Sequence, residues 1–178
     1  MALTETSNTL PEPAMDVAAE DGQPARRLPF TFAKRHGILL QETGRWDDAI
    51  SQYEKVLAGN PENVLVLNNL AWLYQEQGDK KALTLGEKAY QLAPKRPEIV
   101  DTYGWILVNS GLYDRGLAVL QEALLMAPDH PEIAYHVAFA LHKAGRSPEA
   151  VKALRRIVRD HPNTASAEQS RQLLSEIR

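Results

Sequence analysis

Cysteine is missing from this sequence, which removes disulfides, thiol nucleophiles and thiolate metal sites together. Its absence does not fix a compartment. No apolar run approaches the roughly 18 residues of a membrane helix, so no transmembrane span is expected. The opening MALTETSNTL has no basic stretch followed by an apolar core. As written, the chain is expected in the cytoplasm; a fragment of an exported protein would belong to the periplasm or the envelope. Excess charge is also absent from most of the chain. Residues 1–29 hold five acidic groups against Arg26 and Arg27, whereas residues 30–178 hold 18 of each sign. A neutral body provides no field for tracking phosphates, so nucleic-acid binding is not expected.

The common chemical motifs are missing as well. There is no G-x-x-x-x-G-K, G-x-G-x-x-G, G-x-S-x-G or H-E-x-x-H, and so no phosphate cradle, serine elbow or zinc helix. His136 and His142 stand six apart, on opposed faces of one helix, and His130 and His161 precede prolines in turns. Asp47 and Asp48 lie at a helix start, where the dipole accounts for them. No nucleophile has a base beside it. The expectation is a non-enzymatic protein with no metal and no cofactor.

What is present is a period. In Val64–Arg96, Leu67, Leu70, Ala71 and Tyr74 fall at helical spacing, Gly78-Asp79 turns the chain, and Ala82, Leu85, Ala89 and Leu92 mark a second helical face ending at Pro94. The turn glycines Gly44, Gly78, Gly111 and Gly145 are separated by 34, 33 and 34 residues. A second ruler, Pro61, Pro94, Pro128 and Pro162, agrees, and Ala49, Ala82, Gly116 and Ala150 each stand twelve residues before their proline. One helical hairpin cannot bury both its apolar faces, so it is stable only when stacked on copies of itself.

A period of 34 with this order of helix, glycine turn, small residue and proline resembles the tetratricopeptide repeat (TPR). The resemblance covers residues 30–164. Val100, Tyr103, Gly104, Leu107, Gly116, Leu120 and Pro128 carry it in the third unit, and Leu67, Leu70, Ala71, Tyr74, Ala82, Gly86 and Pro94 in the second. His36 and Gly86 depart from the family pattern, each at a position of larger apolar residues. An ankyrin array would show T-P-L-H, which is absent. The implied fold is all-α, a right-handed superhelical solenoid of four hairpins: 30–63, 64–96, 97–130 and 131–164. In unit one the two helices are expected over about 31–42 and 47–58. Trp46 and Tyr113 fall where the family places an inter-helix tyrosine, and both are expected in the core.

Residues 1–29, acidic and holding Pro11, Pro13, Pro24 and Pro29, read as a disordered tail. Residues 165–178, ASAEQSRQLLSEIR, read as a capping helix with a polar outer face. Lys152, Arg155, Arg156 and Arg159 form a basic cluster on the second helix of unit four. It is either a solvated outer face or a contact for an acidic or anionic target.

In TPR proteins the first helix of each repeat lines a concave groove. Carried over by position, that resemblance implies a stripe of Ile38, Trp72, Trp105 and Phe139. Its polar company would be Lys34, Arg35, Asn68, Asn69, Gln75, Asp101, Thr102, Asn109, Tyr135, His136 and His142, with Val108 among them. Aromatic rings are favoured anchors at binding surfaces; the competing reading packs them between adjacent first helices. The carboxylate clamp of co-chaperone repeats is not reproduced: Lys34 and Asn69 match, but Ile38, Glu98 and Thr102 stand at the remaining positions. Nor is the asparagine ladder of glycosyl-transferring relatives, since only Asn69 appears among Arg35, Asn69, Thr102 and His136. Units two to four look most like the repeats of bacterial cell-envelope and exopolysaccharide-system proteins. The expected function is a scaffold holding a peptide or helix of a partner protein in the groove. The alternative is a carbohydrate-binding accessory of exopolysaccharide synthesis or export, with a polysaccharide as partner. Self-association into a homo-oligomer is left open.

Overall fold

The structure, a computed structural model, describes residues 14–17, 26–29 and 45–177. The chain divides into two compact units, Met1–Gly59 and Asn60–Arg178.

In the first unit, β1 (Ala14–Val17) and β2 (Arg26–Pro29) pair antiparallel, with Ala14 opposite Pro29 and Val17 opposite Arg26. Most of residues 1–29, read above as a disordered tail, lies outside the described residues. Helix α1 (Trp46–Gly59) follows, with Asp47 and Asp48 in its first turn and Ile50 buried. Trp46 is half-buried. The first helix expected in unit one, with Lys34, Arg35, His36 and Ile38, lies outside the described residues.

In the second unit every regular element is a helix. The order is α2 (Val64–Glu76), α3 (Lys81–Leu92), α4 (Pro97–Asn109), α5 (Tyr113–Met126), α6 (Pro131–Lys143), α7 (Ser147–Asp160) and α8 (Ala165–Glu176). Helix starts follow local chemistry. Asn63 and Thr164 accept backbone N–H groups of α2 and α8 through their side chains, and Pro97 and Pro131 open α4 and α6 with Glu98 and Glu132 in the first turn. Helix ends follow the glycines. Gly78, Gly111 and Gly145 have φ of 69°, 81° and 78°, a left-handed conformation that costs glycine little. Each closes the same pair of bonds: Gly78 N–H to Gln75 O and Asp79 N–H to Tyr74 O, with Gly111/Leu112 and Gly145/Arg146 repeating the pattern. This motif satisfies carbonyls that a bare helix end would leave without donors.

The hairpins α2/α3, α4/α5 and α6/α7 stack in sequence. Each first helix also meets the next first helix, and each second helix meets the next hairpin's first. Helix α8 packs on α7 and α6, where a further first helix would stack. The core is correspondingly layered. Val100, Ala123 and Ile133 meet across one repeat boundary, Val108, Leu120, Val137 and Leu141 across the same boundary nearer the turns, and Ala138, Leu154 and Leu173 under α8.

Tyr113 is a correction: its ring is 38 % exposed. It opens α5 one turn before Gly116, Leu117 and Leu120, where the helix settles into the core. Gly116 explains the tightness of that contact. A Cβ there would lie 2.5 Å from Val108 Cγ2 and 2.9 Å from the Gly104 carbonyl oxygen, so α4 and α5 touch backbone to backbone. At Gly86, the other departure from the family pattern, a Cβ would meet Ile106 Cδ1 at 3.0 Å, the movable end of a side chain.

These distances predict opposite outcomes for one chemical change. Gly→Ala favours a helix by about 1 kcal/mol, but overpacking costs about 1–3 kcal/mol and more where backbone must move. Gly116→Ala should lower stability by about 1–2 kcal/mol in urea unfolding, and Gly86→Ala should change it by less than about 0.5 kcal/mol. Equal effects would show that α4 and α5 are not in close contact at Gly116.

Candidate partner-binding groove

The first helices α2, α4 and α6 carry the residues implied by position. The structure sorts them by burial. Asn69, Trp72, Gln75, Thr102, Trp105, Tyr135, His136, Phe139 and His142 are partly exposed, and Asn109 is exposed. Asn68, Asp101 and Val108, by contrast, are buried. Val108 belongs to the core with Leu117 and Val137. Asn68 holds its side-chain oxygen in the interior without a hydrogen-bond donor.

Asp101 is turned to a different task. Its Oδ1 lies 2.8 Å from His136 Nδ1, and the two side chains are only 9 % and 12 % exposed. A buried carboxylate needs such a partner. This pair therefore links α4 to α6 instead of offering a charge to a ligand. The His136 ring stacks on Trp105, centroids 4.2 Å apart and planes within 22°, and Phe139 meets the same indole at 5.1 Å, tilted by 57°. Tyr135 lies 6.3 Å from Phe139, and both rings pack beside Leu174 and Ile177 at the α8 end. Burial raises the Tyr135 phenol above its ordinary range, and the Glu176 carboxylate pushes it further the same way.

The competing packing of the stripe between adjacent first helices is present at Trp105. Trp105 is held against the next repeat by His136 and Phe139 and remains partly exposed. Offset stacking of rings contributes about 0.5–1.5 kcal/mol beyond burial, enough to hold the indole in one orientation. Some polar neighbours serve their own helix: Asn109 Nδ2 donates to the Trp105 carbonyl at 2.9 Å, and Thr102 Oγ1 to the Glu98 carbonyl at 2.9 Å. His142 Nδ1 lies 3.3 Å from Ser147 Oγ. Lys143, not among the residues implied by position, places its Nζ 5.2 Å from the Phe139 ring centroid. Its signal was there, since a cation four residues after a ring shares its helix face. Among the described residues no group of three or more His, Asp or Glu is placed to hold a metal ion, and no helix is long and apolar enough to cross a membrane.

Two family models described as Tetratricopeptide repeat match residues 34–97 and 107–177. Together they take in more than half of the chain, which belongs to the tetratricopeptide repeat family, a family of protein-interaction scaffolds. A TPR repeat-containing protein of Pseudomonas aeruginosa is 34% identical over 96 residues, covering 49% of this chain and 16% of the relative. Cellulose synthase 1 operon protein C of Komagataeibacter xylinus is 32% identical over 136 residues, 74% of this chain and 10% of the relative. The chain thus spans less than a fifth of either relative's length. Among solved structures, a crystal structure of MamA superposes with a TM-score of 0.64 at 24% identity, covering 79% of this chain and 82% of that one. At that identity the likeness speaks for the fold, an all-α solenoid of TPR hairpins.

The geometry of Trp105 predicts a graded loss of stability. Trp105→Ala should cost about 1–2 kcal/mol, below the roughly 3–5 kcal/mol of a fully buried tryptophan. Leu107→Ala, two positions on and fully buried, should cost more, about 3 kcal/mol. Urea melts of the two variants measure this, and a larger loss at Trp105 would make the ring a core residue.

Proposed function

We propose that the first-helix face of α2, α4 and α6 takes an extended or helical segment of a partner protein, so that the chain acts as a non-enzymatic scaffold. The observation that carries this reading is the fixed, half-open indole of Trp105. A ring already held by His136 and Phe139 loses little freedom when a ligand covers its other face. Around it lie rings and amides of Asn69, Trp72, Gln75, Asn109, Tyr135, Phe139 and His142, a mixture that suits apolar anchors flanked by hydrogen bonds to a peptide backbone. Lys34 and Ile38, named with these residues by the resemblance, lie outside the described residues.

A second reading is favoured by one observation, the likeness to cellulose synthase 1 operon protein C. On that reading the chain is a bacterial accessory of exopolysaccharide synthesis or export at the envelope, and Trp72 and Trp105 stack on sugar rings. One face of Trp105 is already occupied by His136 at 4.2 Å, which leaves a single face for a sugar. The peptide reading needs no more than that.

Affinity capture with the intact chain, with Trp105→Ala as control, followed by titration of the captured protein, tests the first reading. Loss of Trp105 should weaken that binding by about 2 kcal/mol, roughly thirtyfold. Titration of tryptophan fluorescence with cello-oligosaccharides tests the second. A saturable response to sugar that Trp105→Ala abolishes, with no Trp105-dependent protein captured, would replace the scaffold by the carbohydrate reading.

A further inference from the structure

On the opposite, second-helix side, α5 and α7 stand apart and α6 floors the gap between them. The resulting groove has a volume of about 990 Å³, at the upper end of the roughly 300–1,000 Å³ of ligand clefts. Leu124, Val137, Leu141 and Val151 give it an apolar lining, and Lys152, Arg155, Arg156 and Arg159 line its α7 wall. The α5 wall ends beside Leu125, 83 % exposed, and Met126, 41 % exposed. Apolar side chains and cations thus line one groove.

The basic row is specific to the fourth repeat. One period earlier the same positions hold Ala118, Gln121, Glu122 and Leu125, and one period before that Thr84, Glu87, Lys88 and Gln91. A merely solvated face needs no such change. In the earlier repeats these positions serve the array: Glu122 accepts from the Tyr90 hydroxyl at 3.0 Å and Lys88 donates to the Pro61 carbonyl at 2.7 Å. The groove's own carboxylates engage only part of the row, Asp160 taking Arg159 and Arg156. Glu149 is bound by Arg146 at 2.7 and 2.6 Å, and Asp160 lies between Arg159 and Arg156 at 2.7 and 3.3 Å. Those two arginines hold the Asp160 carboxyl below its ordinary range. Asp129 remains on the far rim. Lys152 and Arg155 carry no ion pair among the described residues.

We propose that this groove is a second docking site, separate from the first-helix face, and that its occupant is an acidic amphipathic helix of a partner protein. Its apolar side chains enter between Leu124 and Val151, and its carboxylates meet Lys152 and Arg155. Apolar anchors laid in a groove with charges at the rim is a recurring mode of helix recognition. The ionic part sets encounter and register, and the apolar part sets lifetime.

The test uses the full chain and a fluorescein-labelled peptide of about 15 residues, with leucine at i, i+3, i+4 and i+7 and glutamate elsewhere. Fluorescence anisotropy should show saturable binding. Lys152→Glu with Arg155→Glu, both exposed and expected to leave the melt unchanged, should weaken it by about tenfold or more. Lys80→Glu with Lys95→Glu, the same change of net charge elsewhere on the surface, should have no effect. Replacing the peptide's leucines by serine should weaken binding by a similar factor. Equal binding of the serine peptide, or competition by DNA or phosphatidylserine vesicles as strong as by the unlabelled peptide, would make the row a general polyanion surface and overturn the proposal. So would a dimer seen in sedimentation velocity that the Lys152/Arg155 double variant dissolves, because the occupant would then be a second copy of the chain.

Discussion

A helical hairpin with two apolar faces has no way to cover both by itself, and the rest of this structure depends on that constraint. Burying apolar surface is worth about 25 cal/mol per Å², so each hairpin is stable to the extent that a neighbour lies on it. The layers record this directly. Val100 and Ile133 meet across the boundary between the second and third hairpins of the unit, and Leu173 of α8 closes the open end over Ala138 and Leu154. Sequence spacing follows from the same demand. Gly104 and Gly116 let α4 and α5 approach closely, and that approach brings Leu107 and Leu120 into full burial.

Stacking also determines what remains outside. Because first helices pack on first helices, side chains at their exposed positions are brought into rows. A ring in such a row either joins two repeats or faces solvent, and Trp105 does both. The Asp101–His136 contact is the link that fixes the indole, since His136 carries the stacked ring and Asp101 holds it by hydrogen bond. On the other side a groove runs between α5 and α7, lined by whatever each repeat happens to carry. The same packing rule therefore generates two surfaces of unlike chemistry, one aromatic and amide-rich, one apolar and basic.

Much of the fold was legible because it is periodic. Glycine and proline spacing located the turns and helix ends, and Gly78, Gly111 and Gly145 adopt the left-handed conformation that such turns require. Periodicity says little about individual partners. Asp101 and His136 lie 35 residues apart, one period plus one, which places them on facing helices; only the side-chain geometry shows that they bind each other. The family position of Tyr113 implies a core residue, whereas its place at the start of α5 leaves it exposed. The short pairing of β1 and β2 was missed for a related reason. Four-residue strands in an acidic, proline-bearing stretch carry no apolar alternation to reveal them.

The account rests on an indole that the next repeat holds and that is still partly exposed. Acrylamide quenching of the single tryptophan left in a Trp46→Phe/Trp72→Phe protein measures that state directly. A quenching constant between those of a buried indole and of free tryptophan is the predicted result, rising toward the free value when Asp101→Asn loosens His136. Quenching at the free rate in the parent, or no quenching at all, would contradict it: the first would mean an indole that no neighbouring repeat holds, the second a ring with no face left for a partner.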